Sequence, residues 1–251
     1  MAERGRCGGV GEAADAAADE FALIDLILAE QPPLDDSVRV GPGDDAAVVR
    51  PPPGHELVTS VDTLVEGVHF LPGTPPRLAM HRALAVNLSD LAAMGAAPGP
   101  CLLAVTHPVL TPSVASAIGR GFMTAAAGTG AVLVGGNLAR GPFTLAVTAT
   151  GWVPTGAALL RSGARPGDLV CVSGAVGAAA RGLAALRDCP EVLASVDVEP
   201  PVEIRPYLAP TPRLGLGAAL RGLASACVDV SDGLLADAAQ LLERRAADRA
   251  A

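Results

Sequence analysis

No lysine occurs anywhere in this chain; all 18 of its Lys-or-Arg positions are arginine. That absence excludes several chemistries at once. A Walker A loop needs its lysine on the β/γ-phosphates, a protein-kinase fold needs its strand lysine, and a Schiff-base enzyme needs a lysine amine. Aromatic residues are scarce, 2% of the chain, so a core has to be assembled from Ala, Val and Leu. Cysteine is thinly spread: Cys7, Cys101, Cys171, Cys189 and Cys227 are odd in number and form no CxxC. Neither a disulfide framework nor a zinc site is expected, and a reduced, cytoplasmic setting is the natural reading. The histidines show no HxxxH or HExxH spacing. No apolar run reaches the roughly 18 residues of a membrane span, and no basic region followed by an apolar stretch opens the chain as a secretory signal would. Positive charge is outnumbered, with a formal net charge of -8, which disfavours nucleic acid as a partner.

What is present is enough for a real core: 251 residues, half of them hydrophobic, which suits one large domain or two modest ones. EFALIDLILAE (20–30) has a helical period, and DAAVVR (45–50) reads as a strand stopped by prolines. ELVTSVDTLVEGVHF (56–70) reads as a second strand. Thr74-Pro75-Pro76 opens a helix that runs to Gly95, with Thr74 as the capping hydroxyl. Residues 98–108, 131–137 and 143–153 read as strands, with a helix over 114–130 and a Gly-Gly turn closing LVGGN. A break rich in Gly, Pro and Arg at 154–168 marks a domain boundary. Beyond it, 169–174 and 225–233 are expected as strands, and 176–186, 212–224 and the C-terminal stretch as helices. The organisation expected is a flexible extension over 1–19, a first domain over 20–153 and a partial second domain over 154–251, of α/β (α+β) class.

Aspartates collect at strand ends and on one apolar helix. VGPGDDAAVV (40–49) sets Asp44 beside Asp45, two carboxylates that repel and whose unpaired burial would be costly. Asp62 lies in SVDT, Asp90 in NLSD, and Asp229 and Asp232 in VDVSDG. Each has a plainer reading: an aspartate beside glycine is commonly an Asx turn, and Asp62 could be an edge charge. Asp90 resists that reading, because Asn87 and Asp90 share a face of a helix that is apolar nearly all round. There a carboxylate should be paired, with Arg82 as the ordinary partner, or bound to a metal. Together the set favours a hard cation such as Mg2+, which takes carboxylate, phosphate and water oxygens. Gly135, Gly136 and Asn137 could let backbone approach a phosphate or could simply turn the chain. No GxGxxG follows that strand, so a Rossmann site has little support.

EFALIDLI, VGPGDDAAVV, SVDTLVEGVHF, ALAVNLSDLAAMGAAP, VLVGGN with RGP, LLRSGARPGD, APTPRLGLG and CVDVSDGLLAD, in this order, resemble the thiamine-monophosphate kinases. That family belongs to the ATP-binding superfamily that includes aminoimidazole ribonucleotide synthetase and selenophosphate synthetase. The resemblance implies a two-domain fold of that superfamily, with the N-terminal sheets of two chains pairing into a dimer barrel. It implies transfer of the γ-phosphoryl group of ATP to thiamine monophosphate, with Mg2+ as cofactor. It places Asp44, Asp62, Asp90 and Asp232 on metal ions, with Asp45, Thr63, Asp229 and Ser231 in the same matched motifs. Gly135, Gly136, Asn137, Arg140 and Arg161 become nucleotide contacts, and His69 a substrate contact. Arg140 and Arg161 are otherwise solvated surface arginines, and no side chain is singled out as a catalytic acid or base.

The resemblance also shows two departures. The family has aspartate after the paired glycines, where this chain has Asn137, which offers an oxygen without a charge. A GGEDYEL-like motif and an aromatic that packs on thiamine are not found, so an incomplete second domain is expected. A degenerate relative that binds Mg–ATP without transfer, or another synthetase of the superfamily, are the alternatives.

Overall fold

The structure, a computed structural model, describes residues 19–196 and 199–248. Of the extension expected over 1–19, all but Asp19 lies outside the described residues. Nine residues of EFALIDLIL make α1 (Glu20–Leu28), which buries Leu23 and Ile27. Two short strands, β1 (Val38–Val40) and β2 (Val48–Val49), pair antiparallel around the GPGDD turn. The next six elements are β3 (His55–Val65), α2 (Pro76–Ala93), β4 (Ala97–His107), α3 (Pro112–Ala126), β5 (Val132–Arg140) and β6 (Thr144–Pro154).

These four longer strands form one sheet in the order β3-β6-β4-β5, with β6 antiparallel to both neighbours and β4 parallel to β5. Period-2 alternation decides which face is covered. Leu145, Val147, Ala149, Gly151 and Val153 of β6 all turn to the helices, and the residues between them do not. Leu64, Leu103, Val105, Phe122, Ile118, Leu84 and Leu88 meet in that layer. On the other face Leu57, Val61 and Leu102 stay 58%, 62% and 45% exposed.

α2 explains why its sequence is apolar on nearly every side. A helix hydrophobic all round is a buried helix, and α2 touches β3, β4 and β6, α3, and two helices from the C-terminal third. Two glycines of α3 make room for this: a Cβ on Gly121 would stand 2.2 Å from the Arg77 carbonyl, and one on Gly119 would stand 2.4 Å from that of Ile27. The helix ends at Gly95, φ +69°, as expected of a left-handed stop. Its start differs from expectation. Thr74 donates its hydroxyl to Leu71 O rather than capping, and Pro75 occupies the N-cap.

Beyond residue 154 the described elements are helices: α4 (Ala178–Asp188), α5 (Val192–Ser195), α6 (Arg205–Leu208), α7 (Leu214–Leu220) and α8 (Leu234–Asp248). The expected strands at 169–174 and 225–233 do not form. Leu169 is 89% and Val170 85% exposed, and among the described residues no neighbouring strand offers them a ladder. β propensity expresses a fit to a half-buried pleated surface, so it yields nothing without a partner. The Gly-Gly turn is also corrected: Gly135 and Gly136 lie inside β5, paired with Leu102 and Leu103. A Cβ on Gly136 would stand 1.9 Å from Leu103 O, so the glycine permits close strand approach.

The C-terminal helices are fastened to α2 at both ends. Leu78 joins Leu186, Tyr207 and Leu208 in a second, smaller cluster, and Arg82 stacks over the Tyr207 ring at 4.4 Å while donating to Tyr207 O. At the other end Gly217 of α7 lies against the Ala92 carbonyl, and Arg221 donates to Gly95 O at 2.9 Å.

Candidate functional site

Asp62 projects from β3 toward the helices, on the same face as Ser60, and Asp90 comes to meet it from the last turn of α2. Ser60 donates its hydroxyl to Asp90 Oδ2 at 2.5 Å. Arg82, the arginine that could have paired Asp90 in place of a metal, is instead engaged with Tyr207. Burial pushes the Asp62 carboxyl above its usual range, the Asp90 charge adds to this, and His69 opposes it. Asp229 arrives on the loop before α8. Burial raises its carboxyl too, followed by the charge of Asp90 and, less strongly, that of Asp237; a hydrogen bond from Ser89 and the Arg161 guanidinium pull the other way. Three half-buried carboxylates thus feel one another, with Asp90 common to both couplings. Such an arrangement is unfavourable without a cation, and Arg161, hydrogen-bonded to Gln240, is the arginine that answers Asp229.

The remaining predicted residues stand elsewhere. Asp44 and Asp45 are exposed in the turn between β1 and β2, where Asp44 Oδ1 accepts the Asp45 N–H at 2.8 Å. Their charges face solvent, so the positive partner that burial would have required is not needed. Thr63 follows Asp62 and therefore points from the open face of the sheet. Register carries that row across: Thr63 opposes Ala146, Ala146 opposes Ala104, and Ala104 opposes Asn137. Asn137 is therefore three strand spacings, about 14 Å, from Thr63. Gly135 shares its face, while Arg140 lies at the end of β5 in a cleft of about 320 Å³ with His107 and Glu20. His69, in the turn after β3, accepts the Val65 N–H on Nδ1 at 3.1 Å and lies within reach of Asp62 electrostatically. Ser231 and Asp232 are exposed, and their N–H groups point inward to Asp237 Oδ2.

The structure therefore unites Asp62, Asp90, Asp229, Arg161 and His69, and leaves Asn137, Gly135 and Thr63 on the far side of the sheet. Sequence reasoning missed Ser60 and Ser89, whose hydroxyls serve the carboxylates, and the buried Asp237. Each leaves a trace in the sequence: Ser60 in SVDT, Ser89 in NLSD and Asp237 as the last letter of SDGLLAD. Among the described residues no group of three or more His, Cys, Asp or Glu is drawn tightly enough to hold a metal ion alone.

The family model for AIR synthase related protein, N-terminal domain, matches residues 43–153. The thiamine-monophosphate kinase of Salmonella typhimurium is 42% identical over 206 residues, 82% of this chain and 63% of its own length. The chain thus spans less than two thirds of that relative. The solved thiamine-monophosphate kinase of Stenotrophomonas maltophilia superposes with a TM-score of 0.78 at 42% identity, over 90% of this chain and 72% of the other. A structure described as AaThiL complexed with AMPPCP and TMP gives a TM-score of 0.68 at 32% identity, over 90% and 70%. The mixed α/β architecture fits this kinship: the chain belongs to the thiamine-monophosphate kinase family, with the AIR synthase-like fold.

Proposed function

We propose that the chain takes part in ATP-dependent phosphorylation of thiamine monophosphate to thiamine diphosphate. The observation that carries this is the meeting of Asp62, Asp90 and Asp229 beside Arg161, together with a homologous structure that holds AMPPCP and TMP. Residues 20–153 would form the nucleotide-binding and dimerisation domain and 154–251 part of a second.

The donor set fits magnesium: hard carboxylate and hydroxyl oxygens, with no thiolate among them. Its looseness fits too, because Mg2+ is ordinarily held by one or two carboxylates and completed by phosphate and water oxygens. Asp62, Asp90, Asp229 and Asp232 would hold it. Bound there, the ion would neutralise oxygen charge on the phosphates. Arg161 offers its guanidinium to a phosphate oxygen next to Asp229, and His69 faces the acceptor. An ionised oxygen of thiamine monophosphate attacks Pγ, the bond from Pγ to the β,γ-bridging oxygen breaks, and ADP departs with that electron pair. The acceptor carries no proton to remove, so the chain needs no general base, and its work is positioning and charge. Asp44 and Asp45, exposed in the GPGDD turn, are the further carboxylates that the family resemblance would offer to the ion.

Titration of ATP with and without magnesium, beside an ADP-release assay with thiamine monophosphate, tests the reading. Thiamine-dependent turnover supports it. Asp90→Ala should abolish metal-dependent ATP binding, and undiminished binding would remove Asp90 from the site. Asn137 favours a second reading, a relative that binds Mg–ATP without transfer, since the position lacks the charge that the family resemblance implies. Tight binding with no turnover, restored in part by Asn137→Asp, would select it. The open sheet face with Leu57, Val61 and Leu102 suits a homodimer, and Val61→Glu should shift a dimer to monomer in light scattering. No helix among the described residues is long and apolar enough to cross a membrane.

A further inference from the structure

We propose that Asp237 is a positioning residue that fixes the Ser231–Gly233 turn so that the loop presents its carboxylates, and not its amides, to a ligand. Asp237 lies in the first turn of α8 and is only 2% exposed, an unusual depth for a carboxylate. A single oxygen, Oδ2, accepts three consecutive N–H groups, from Ser231 at 3.0 Å, Asp232 at 3.1 Å and Gly233 at 3.1 Å. Gly233 makes that convergence feasible with φ +119°, a conformation that other residues rarely adopt.

Successive amides at the start of a helix are a ready-made cradle for phosphate. Here the cradle is already filled by the chain's own carboxylate. With the amides turned inward, Asp232 faces solvent and Asp229 faces Asp90 and Ser89. A phosphate approaching this loop meets negative charge, so it can dock only with a cation between. The internal hydrogen bonds are thus what turn an anion-binding turn into a cation-binding one. The last step rests on the metal-dependent nucleotide reading above; the holding of the loop by Asp237 does not.

The experiment uses the full chain with Asp237→Ala and Asp237→Asn. Amide hydrogen exchange, without metal or nucleotide, should show protection of residues 231–233 lost in the alanine variant and partly kept in the asparagine variant, whose side-chain oxygen can replace Oδ2. Protection in β4 and β6 should not change. Calorimetry should then show Mg–ATP affinity lowered about tenfold or more by alanine and less by asparagine, as for supporting partners of metal ligands. Affinity for ATP without metal should hold or rise, because the freed amides are open to phosphate, which a merely structural lesion would not achieve. Unchanged protection in both variants overturns the proposal, and so does lost protection with Mg–ATP affinity kept within about twofold. If the alanine variant does not fold, the asparagine variant is read against the same two outcomes. If wild type binds no Mg–ATP, the functional reading fails, while hydrogen exchange still decides whether Asp237 holds the loop.

Discussion

Residues up to 154 and residues beyond it spend their hydrophobic side chains in opposite ways. The first region closes a four-stranded sheet under α2 and α3, with Met80, Leu84, Leu88, Ile118, Phe122 and Val147 essentially inaccessible. The second has a cluster of seven buried residues, one of which, Leu78, is borrowed from α2. It leaves Leu169, Val170, Val202, Leu223 and Leu235 at 69% exposure or more. Composition differs little between the two. The lesson is that apolar content does not make a core unless the strands it could build have edges to meet.

Substitutions should separate the regions. The largest loss is expected from Phe122→Ala, about 3–5 kcal/mol by denaturant titration, because a close-packed core relaxes little around the cavity. A loss under about 1 kcal/mol would mean that the sheet–helix layer is not the main source of stability. Gly136→Ala should cost about 3 kcal/mol, the upper end for overpacking, since the new methyl meets a backbone carbonyl that cannot rotate away. Leu186→Ala should cost about 2 kcal/mol, the low end for a buried leucine, and should leave amide protection in β4 and β6 untouched. If β4 loses protection as well, the two regions unfold together.

The smallest effect concerns pH. His81 lies in a cleft with Arg77, Arg205 and Glu199, and burial followed by the Arg77 charge holds its pKa below the usual 6.5. The native imidazole is therefore neutral when the unfolded one begins to protonate. The unfolded state binds more protons below pH 6.5, so this contribution is complete above 6.5 and is lost as pH falls toward the folded value. His81→Leu should flatten the decline in Tm on the acid side of 6.5, and an unaltered slope would count against the assignment.

Period and punctuation made the first region legible. Alternation announced β3, β4 and β6, prolines and Gly95 framed α2, and the all-round apolarity of that helix is explained by neighbours on every side. The strands at 169–174 and 225–233 were misread because their letters have β character while the partners that would use it are not among the described residues. Gly135 and Gly136 were misread because glycine marks both a turn and a close approach, and only register distinguishes them. For the site, alternation put Asp62 on the helix side and its neighbour Thr63 on the other, a consequence one residue of spacing dictates. Which aspartates converge could not be read, because Asp229 reaches Asp90 through the docking of α7 on α2, a long-range contact made by Gly217 and Ala92.

The scarcity of aromatics has a practical side. The chain's one tryptophan, Trp152, stands on the uncovered face of the sheet, directly across from Leu57 in the β3–β6 register, with its indole over Gly99. Its emission is a label-free gauge of whether a second molecule has settled on that face, and no competing indole elsewhere in the chain would blur the reading.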